Sequence, residues 1–266
     1  MNEMNATFAG SVEQELAATP RATLGGLPIA VVTRSQAAAM IIRAAEPSET
    51  RTRPFYFTSA NGEVIARAAL DRNFGALLRE ADQIVADGQP LVFASRRLCR
   101  ETLPERVATT DLFHDVARLA EVTGSSFYLF GATEAENDKA VAAVRAAYPH
   151  LRIVGHCHGF LHGEDLDRKI EEINALAPNV LWVALGVPRE QEFVQRYAAR
   201  LNRVGVLKTS GGLFDFLSGK NRRAPEWMQR AGLEWLWRAC LEPRRLGLRY
   251  STTSPVAIFA MLTNSR

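Results

Sequence analysis

The stretch 127–155 reads FYLFGATEAENDKAVAAVRAAYPHLRIVG. It begins with an apolar, aromatic run, FYLFG (127–131), with the length and composition of a buried strand. A helical pattern follows over 134–148 and is stopped by Pro149, whose ring cannot continue a helix. A second apolar run, LRIVG (151–155), closes the stretch. Strand, crossover helix and strand in that order make a βαβ unit, whose two strands run parallel.

The alternation extends in both directions. Further apolar runs are IAVV (29–32), FYFTS (55–59), IVA (84–86), VLWVAL (180–185) and VGVLK (204–208). One helical pattern opens at Thr110-Asp111-Leu112 and keeps Leu112, Val116 and Leu119 on one face; another covers 165–176 and stops before Pro178. The fold class predicted is α/β, a Rossmann-like and mostly parallel sheet flanked by helices. After Lys208 a glycine-rich turn, TSGGLFDFLSGK (209–220), leads into a basic, Trp/Arg-rich helical tail. The expected organisation is a flexible N-terminal arm over 1–23, an α/β domain over 24–218 and a C-terminal appendage over 219–266.

At 266 residues, with 47% hydrophobic and 23% charged residues, the chain can bury a sizeable core. The net charge of +3 is unevenly placed: 219–250 holds eight Lys/Arg against three Asp/Glu, which leaves the remainder at −2. Three widely spaced cysteines, Cys99, Cys157 and Cys240, fit neither a disulfide framework nor a Cys-rich zinc site and suit a reducing cytoplasm. The N-terminus lacks the basic start and apolar run of a signal peptide. The longest late apolar run, SPVAIFAML (254–262), is too short to span a bilayer, so membrane contact is expected to be peripheral.

Ligands of open parallel sheets bind at the carboxyl ends of the strands. TSANGE puts Ser59 and Asn61 at one such end, ADGQP puts Asp87 at another, and GVPREQE and TSGG follow two more. The four ends suggest one composite cleft. Asp87 can be a general base or the N-cap of a helix starting near Pro90. Gly211 and Gly212 can offer N–H groups to a phosphate or simply form a tight turn. The chain has neither G-x-G-x-x-G nor a P-loop pattern, which disfavours an NAD-dependent oxidoreductase or an ATPase. HCHGFLH (156–162) reads as a polar loop and not a metal site, and Asp165 and Asp167 read as acidic residues at a helix start. In the tail, tryptophans share short helices with Arg238, Arg244, Arg245 and Arg249. That mixture suits a membrane interface, and equally a helix pair docked on the core with solvated arginines.

Taken in order, TSANGEVIARA, ADQIVADGQPLVFASR, PERVATTDL, YLFGATEAENDKAV, YPHLRIVGHCHGF, ALGVPREQEF and the segment GGLFDFLSGKNRRAPEWMQRAGLEWLWRACLEPRRLGLRY resemble the WecG/TagA/CpsF family of bacterial glycosyltransferases. The resemblance covers about 24–250. It implies an inverting, metal-independent transfer of a sugar from a UDP-sugar to a polyprenyl-diphosphate-linked acceptor. The work would take place on the cytoplasmic membrane face, in surface or exopolysaccharide biosynthesis. No cofactor and no nucleic acid would be needed; the partners would be the UDP-sugar, the lipid-linked acceptor, an anionic membrane surface and a second copy in a homo-oligomer. The family's catalytic base falls on Asp87. Its Thr-x-Asn falls on Ser59-Ala60-Asn61, with Ser for Thr. The arginine before its G-x-D motif falls on Arg106, and the motif itself on Thr109-Thr110-Asp111. Its C-terminal arginines fall on Arg238, Arg245 and Arg249. Its P-K-Q-E becomes Pro188-Arg189-Glu190-Gln191, which moves the substrate-binding glutamine to Gln191. A non-catalytic membrane adaptor of a polysaccharide assembly complex is the rival reading.

Overall fold

The computed structural model describes residues 12–47 and 51–266, with Arg245 and Leu248 described by backbone alone. A helix over 12–18 (α1) is followed by β1 (Arg21–Leu24), β2 (Leu27–Ala30), α2 (Arg34–Ala44), β3 (Phe55–Ala60), α3 (Gly62–Leu70) and α4 (Arg72–Arg79). Next come β4 (Gln83–Ala86), α5 (Gln89–Leu98), α6 (Thr109–Thr123), β5 (Ser126–Gly131), α7 (Glu134–Ala147), β6 (Arg152–Cys157) and α8 (Gly163–Leu176). The chain ends with β7 (Val180–Ala184), α9 (Arg189–Tyr197), β8 (Val206–Thr209), α10 (Leu213–Leu217), α11 (Glu226–Arg230), α12 (Glu234–Leu241) and α13 (Leu248–Thr263).

Six strands form one parallel sheet in the order β4-β3-β8-β7-β5-β6, flanked by helices. Each matches an apolar run of the sequence. The run at 29–32 does not join it: β2 pairs antiparallel with β1 in a separate hairpin, Arg21 opposite Ala30 and Leu24 opposite Leu27. The turn is Gly25-Gly26, both at positive φ (+56° and +80°), a conformation that two side-chain-bearing residues would resist. Of the stretch expected as an arm, 1–11 lie outside the described residues, 12–18 are helical and Arg21–Leu24 form β1.

The chain forms two compact units. The larger holds the described residues up to Ala18, Ser35–Thr58 and Thr109–Asn221. Its centre is β7, buried along its whole length. The Trp182 ring lies 4.9 Å from Phe113 of α6 and 5.8 Å from Phe127 of β5, at edge-on and tilted angles. Removing that ring would cost about 3–5 kcal/mol of stability. The crossover helix α7 starts where Thr133 accepts the N–H of Glu136 on its side-chain oxygen, 3.3 Å away, which satisfies a helix N–H that has no partner within the helix.

The smaller unit holds Thr19–Arg34, Ser59–Ala108 and Arg222–Arg266. Here α13 lies along α3, burying Ala257, Ala260 and Met261. A Cβ on Gly62 would meet that of Ala257 at 3.9 Å. Past α13 the chain returns to the hairpin, where Thr23 and Arg266 exchange backbone hydrogen bonds of 3.3 and 3.0 Å. Residues 222–266 therefore supply part of this unit's core. They are helical, as the sequence pattern implies, and α12 and α13 carry the Trp/Arg-rich segment.

Candidate active site

In the smaller unit the chain leaves β4 at Ala86 and reaches Asp87 at once. The Asp87 N–H donates to Ala60 O at 2.8 Å, and the Val107 N–H donates to Ala86 O at 2.7 Å. These two bonds fasten the end of β4 to the end of β3 and to the loop that carries Arg106. The N-cap residue of α5 is Gly88, so Asp87 stands one position before the cap. Asp87 Oδ1 lies 3.9 Å from Arg106 Nη2. The same Arg106 nitrogen is 2.6 Å from Glu234 Oε2 on α12, and Glu234 Oε1 is 3.4 Å from Arg223 Nε. All four side chains are largely withdrawn from water, 15–23% exposed, where charges act on one another more strongly than at a free surface.

A second ion pair lies in the same unit. Arg249 Nη1 on α13 is 2.9 Å from Glu63 Oε2 in the first turn of α3, and the guanidinium sits 5.1 Å from the centre of the Tyr250 ring. Asn61, two residues before Glu63, caps α3 by accepting the Val64 N–H at 3.1 Å. Ser59 is half-buried near the end of β3. Arg238 is half-buried in the last turn of α12, and the Arg245 side chain lies outside the described residues.

The larger unit holds a separate buried polar cluster. Gln191 is buried in the first turn of α9, its amide donating to Glu190 Oε1 at 3.3 Å. The other Glu190 oxygen accepts the Gly211 N–H at 2.8 Å. Burial pushes the Glu190 carboxyl up to about 6, a rise partly offset by the Gly211 N–H, the Lys208 charge and the Gln191 amide. Lys208, fully buried, gives its ammonium to Thr209 O at 2.7 Å, and the Thr209 hydroxyl donates to that of Thr58 at 2.7 Å. Burial also raises the Tyr56 hydroxyl. Gly211 sits at φ +57°, which accounts for glycine there. Its N–H, which the sequence offers to a phosphate, is donated to Glu190 instead. Gly212 precedes α10, which packs on α6; Asp111 lies half-buried in the first turn of α6.

Two motifs have structural partners. His156 Nδ1 is 2.9 Å from Asn137 Oδ1, and His158 Nδ1 accepts the Phe160 N–H at 3.2 Å. Asp165 pairs with Arg168, and Asp167 with Arg200. Among the described residues no three His, Cys, Asp or Glu side chains converge as a metal site would need. No helix among them is long and apolar enough to cross a membrane.

The sequence reading named Glu190 only as part of the shifted Pro188-Arg189-Glu190-Gln191 motif and passed over Glu63, Lys208, Arg223 and Glu234. Lys208 had a signal, a lysine inside the apolar run VGVLK. Glu63 and Glu234 had none, because each pairs with a partner distant in the chain.

The sequence model of the glycosyl transferase WecG/TagA/CpsF family matches residues 22–266. The chain is 32% identical over 188 residues to the N-acetylglucosaminyldiphosphoundecaprenol N-acetyl-beta-D-mannosaminyltransferase of Bacillus subtilis (strain 168), covering 71% of this chain and 72% of that protein. It is 28% identical over 196 residues to the enzyme of the same name from Staphylococcus aureus (strain MRSA252), covering 74% and 76%.

Proposed function

Because the chain belongs to the WecG/TagA/CpsF family of glycosyl transferases, we propose that it moves an N-acetylhexosamine from a UDP-sugar to a polyprenyl-diphosphate-linked sugar in bacterial surface or exopolysaccharide biosynthesis. The relatives' names put N-acetylmannosamine first as the sugar and N-acetylglucosaminyl-diphosphoundecaprenol first as the acceptor. The reaction is a direct displacement. An acceptor hydroxyl forms the new bond to the anomeric carbon, the bond to UDP breaks, and Asp87 takes the hydroxyl proton. The leaving diphosphate carries the negative charge, and arginines of the smaller unit, Arg106, Arg238, Arg245 and Arg249, balance it without a metal ion. Ser59 and Asn61, in the smaller unit with Asp87, take sugar or nucleotide contacts.

The observation that carries this reading is the state of Asp87. It stands at a strand end, one residue before the N-cap of α5, with a guanidinium 3.9 Å away. The enzyme would work as a peripheral protein on the cytoplasmic membrane face, with its exposed tail apolar groups at the interface. The test is UDP release from a panel of UDP- and GDP-sugars, with a short-chain, water-soluble N-acetylglucosaminyl-diphospholipid as acceptor. Acceptor-dependent release from UDP-N-acetylmannosamine is expected. A membrane adaptor would release UDP from none of them.

A further inference from the structure

The ion pairs of the smaller unit contain a carboxylate that the reaction as proposed does not use. Glu234 opens α12, and its two oxygens reach two different guanidiniums, Arg106 at 2.6 Å and Arg223 at 3.4 Å. Arg106 comes from the loop after α5, and Arg223 comes from the segment before α11. Arg106 is also the cation beside Asp87, 3.9 Å from its Oδ1. The order of charges is thus Asp87, Arg106, Glu234, Arg223, alternating in sign, with only the last two on the C-terminal segment.

The distances show which contact dominates. At 2.6 Å Arg106 and Glu234 form a close ion pair, whereas 3.9 Å to Asp87 is a loose one. Arg106 is therefore held by Glu234 and only influences Asp87 electrostatically. Were the Glu234 charge absent, the ion-pair partner left to the partly buried Arg106 among the described residues would be Asp87. A guanidinium bonded directly to Asp87 would lower its proton affinity and obstruct the oxygen that must face the acceptor hydroxyl.

We infer that Glu234 is a positioning residue for the transfer reaction: its carboxylate draws Arg106 off Asp87 and holds Arg106 and Arg223 apart as a fork of two cations. The inference rests on the reading of Asp87 as the general base. It gives the C-terminal segment a part in catalysis through its carboxylate, separate from any arginine that meets the diphosphate. Along this chain of contacts Arg106 meets Asp87 directly, with Glu234 and Arg223 behind it.

The test uses the full chain with UDP-N-acetylmannosamine and the short-chain soluble acceptor, so that membrane docking plays no part. In Glu234→Gln, loss of one negative charge favours the Asp87 carboxylate. The acid limb of the kcat/KM profile should move to lower pH by about half a unit. A weaker and obstructed base should lower kcat roughly tenfold at pH 8. In Glu234→Asp the charge remains, so the limb should stay with the wild type; kcat should still fall severalfold, because the shorter side chain cannot span both guanidiniums. A Gln variant with an unmoved limb and wild-type kcat overturns the inference, and so does a fall in kcat with no movement of the limb. Should the Gln variant fail to fold, a folded Asp variant with wild-type kcat overturns it equally. Absence of transfer by the wild type from any UDP-sugar would instead bring down the reading of the site on which the inference stands.

Discussion

Glu190→Gln tests the buried cluster of the larger unit. Glu190 is 4% exposed and its carboxyl is pushed from 4.5 up to about 6, chiefly by burial. A group whose folded pKa is raised lowers stability as it ionises. The protein gains from the neutral form below pH 4.5, and that gain is lost as pH rises through about 6. The rise from 4.5 to about 6 corresponds to about 2 kcal/mol at neutral pH. Glutamine has nearly the same shape, accepts the Gly211 N–H through its amide oxygen, and never ionises. For a chain of this size the difference should appear as a melting temperature roughly 4–8 °C higher for Glu190→Gln at pH 7.5. At pH 4.5 the two proteins should melt together. Calorimetry of both from pH 4.5 to 7.5 measures the gap. A gap that does not change with pH, or a wild type more stable at pH 7.5, would refute the account and mean that Lys208 and the Gly211 N–H more than offset the cost of burying the charge.

Asp87→Asn should leave the melting temperature unchanged and reduce turnover by roughly 10²-fold or more, as for loss of a general base; near wild-type turnover would remove Asp87 from the mechanism. Transfer should survive excess EDTA; activity abolished by chelation and restored by Mg²⁺ or Mn²⁺ would overturn the arginine-based account of the leaving charge. The double variant Trp227→Ser/Phe259→Ser removes two exposed apolar groups, 65% and 68% accessible, and should weaken sedimentation with anionic liposomes while transfer to the soluble acceptor stays within twofold. Unchanged sedimentation would place the membrane contact elsewhere.

The parallel sheet was legible because buried parallel strands are continuous apolar runs, and six such runs became six strands. The seventh run, IAVV, looks the same in composition and pairs otherwise. What distinguishes it is the Gly25-Gly26 dipeptide before it, a hairpin signal that also implies a strand on its other side, where an arm was expected. The tail was legible as helix. Its role was not, because whether Ala257 or Ala260 packs on α3 depends on contacts with residues almost two hundred positions away. A truncation that removes 219–266 would therefore take away part of the smaller unit's core, which is why the membrane test uses two surface substitutions.

The candidate site divides along the same line. Asp87 could be singled out as a carboxylate at a strand end, with helix capping as its rival use, and the structure gives the N-cap position to Gly88. Glu234 could not, since a glutamate that opens a helix ordinarily favours the positive helix end and needs no other explanation. Composition also joined what the structure separates. Tryptophan and arginine share the tail helices, and in sequence they look like one amphipathic feature. In space Arg249 turns to Glu63 and Arg223 to Glu234, whereas Trp227 and Trp235 stay exposed and Trp235 meets the edge of Tyr250 at 5.9 Å. Charges that answer to carboxylates within the unit are not free to serve a lipid surface at full strength, and rings left exposed are not needed to hold the fold. The segment can thus serve two environments at once: the guanidiniums of Arg223 and Arg249 are organised by Glu234 and Glu63, and the indoles of Trp227 and Trp235 are left to whatever the surface meets.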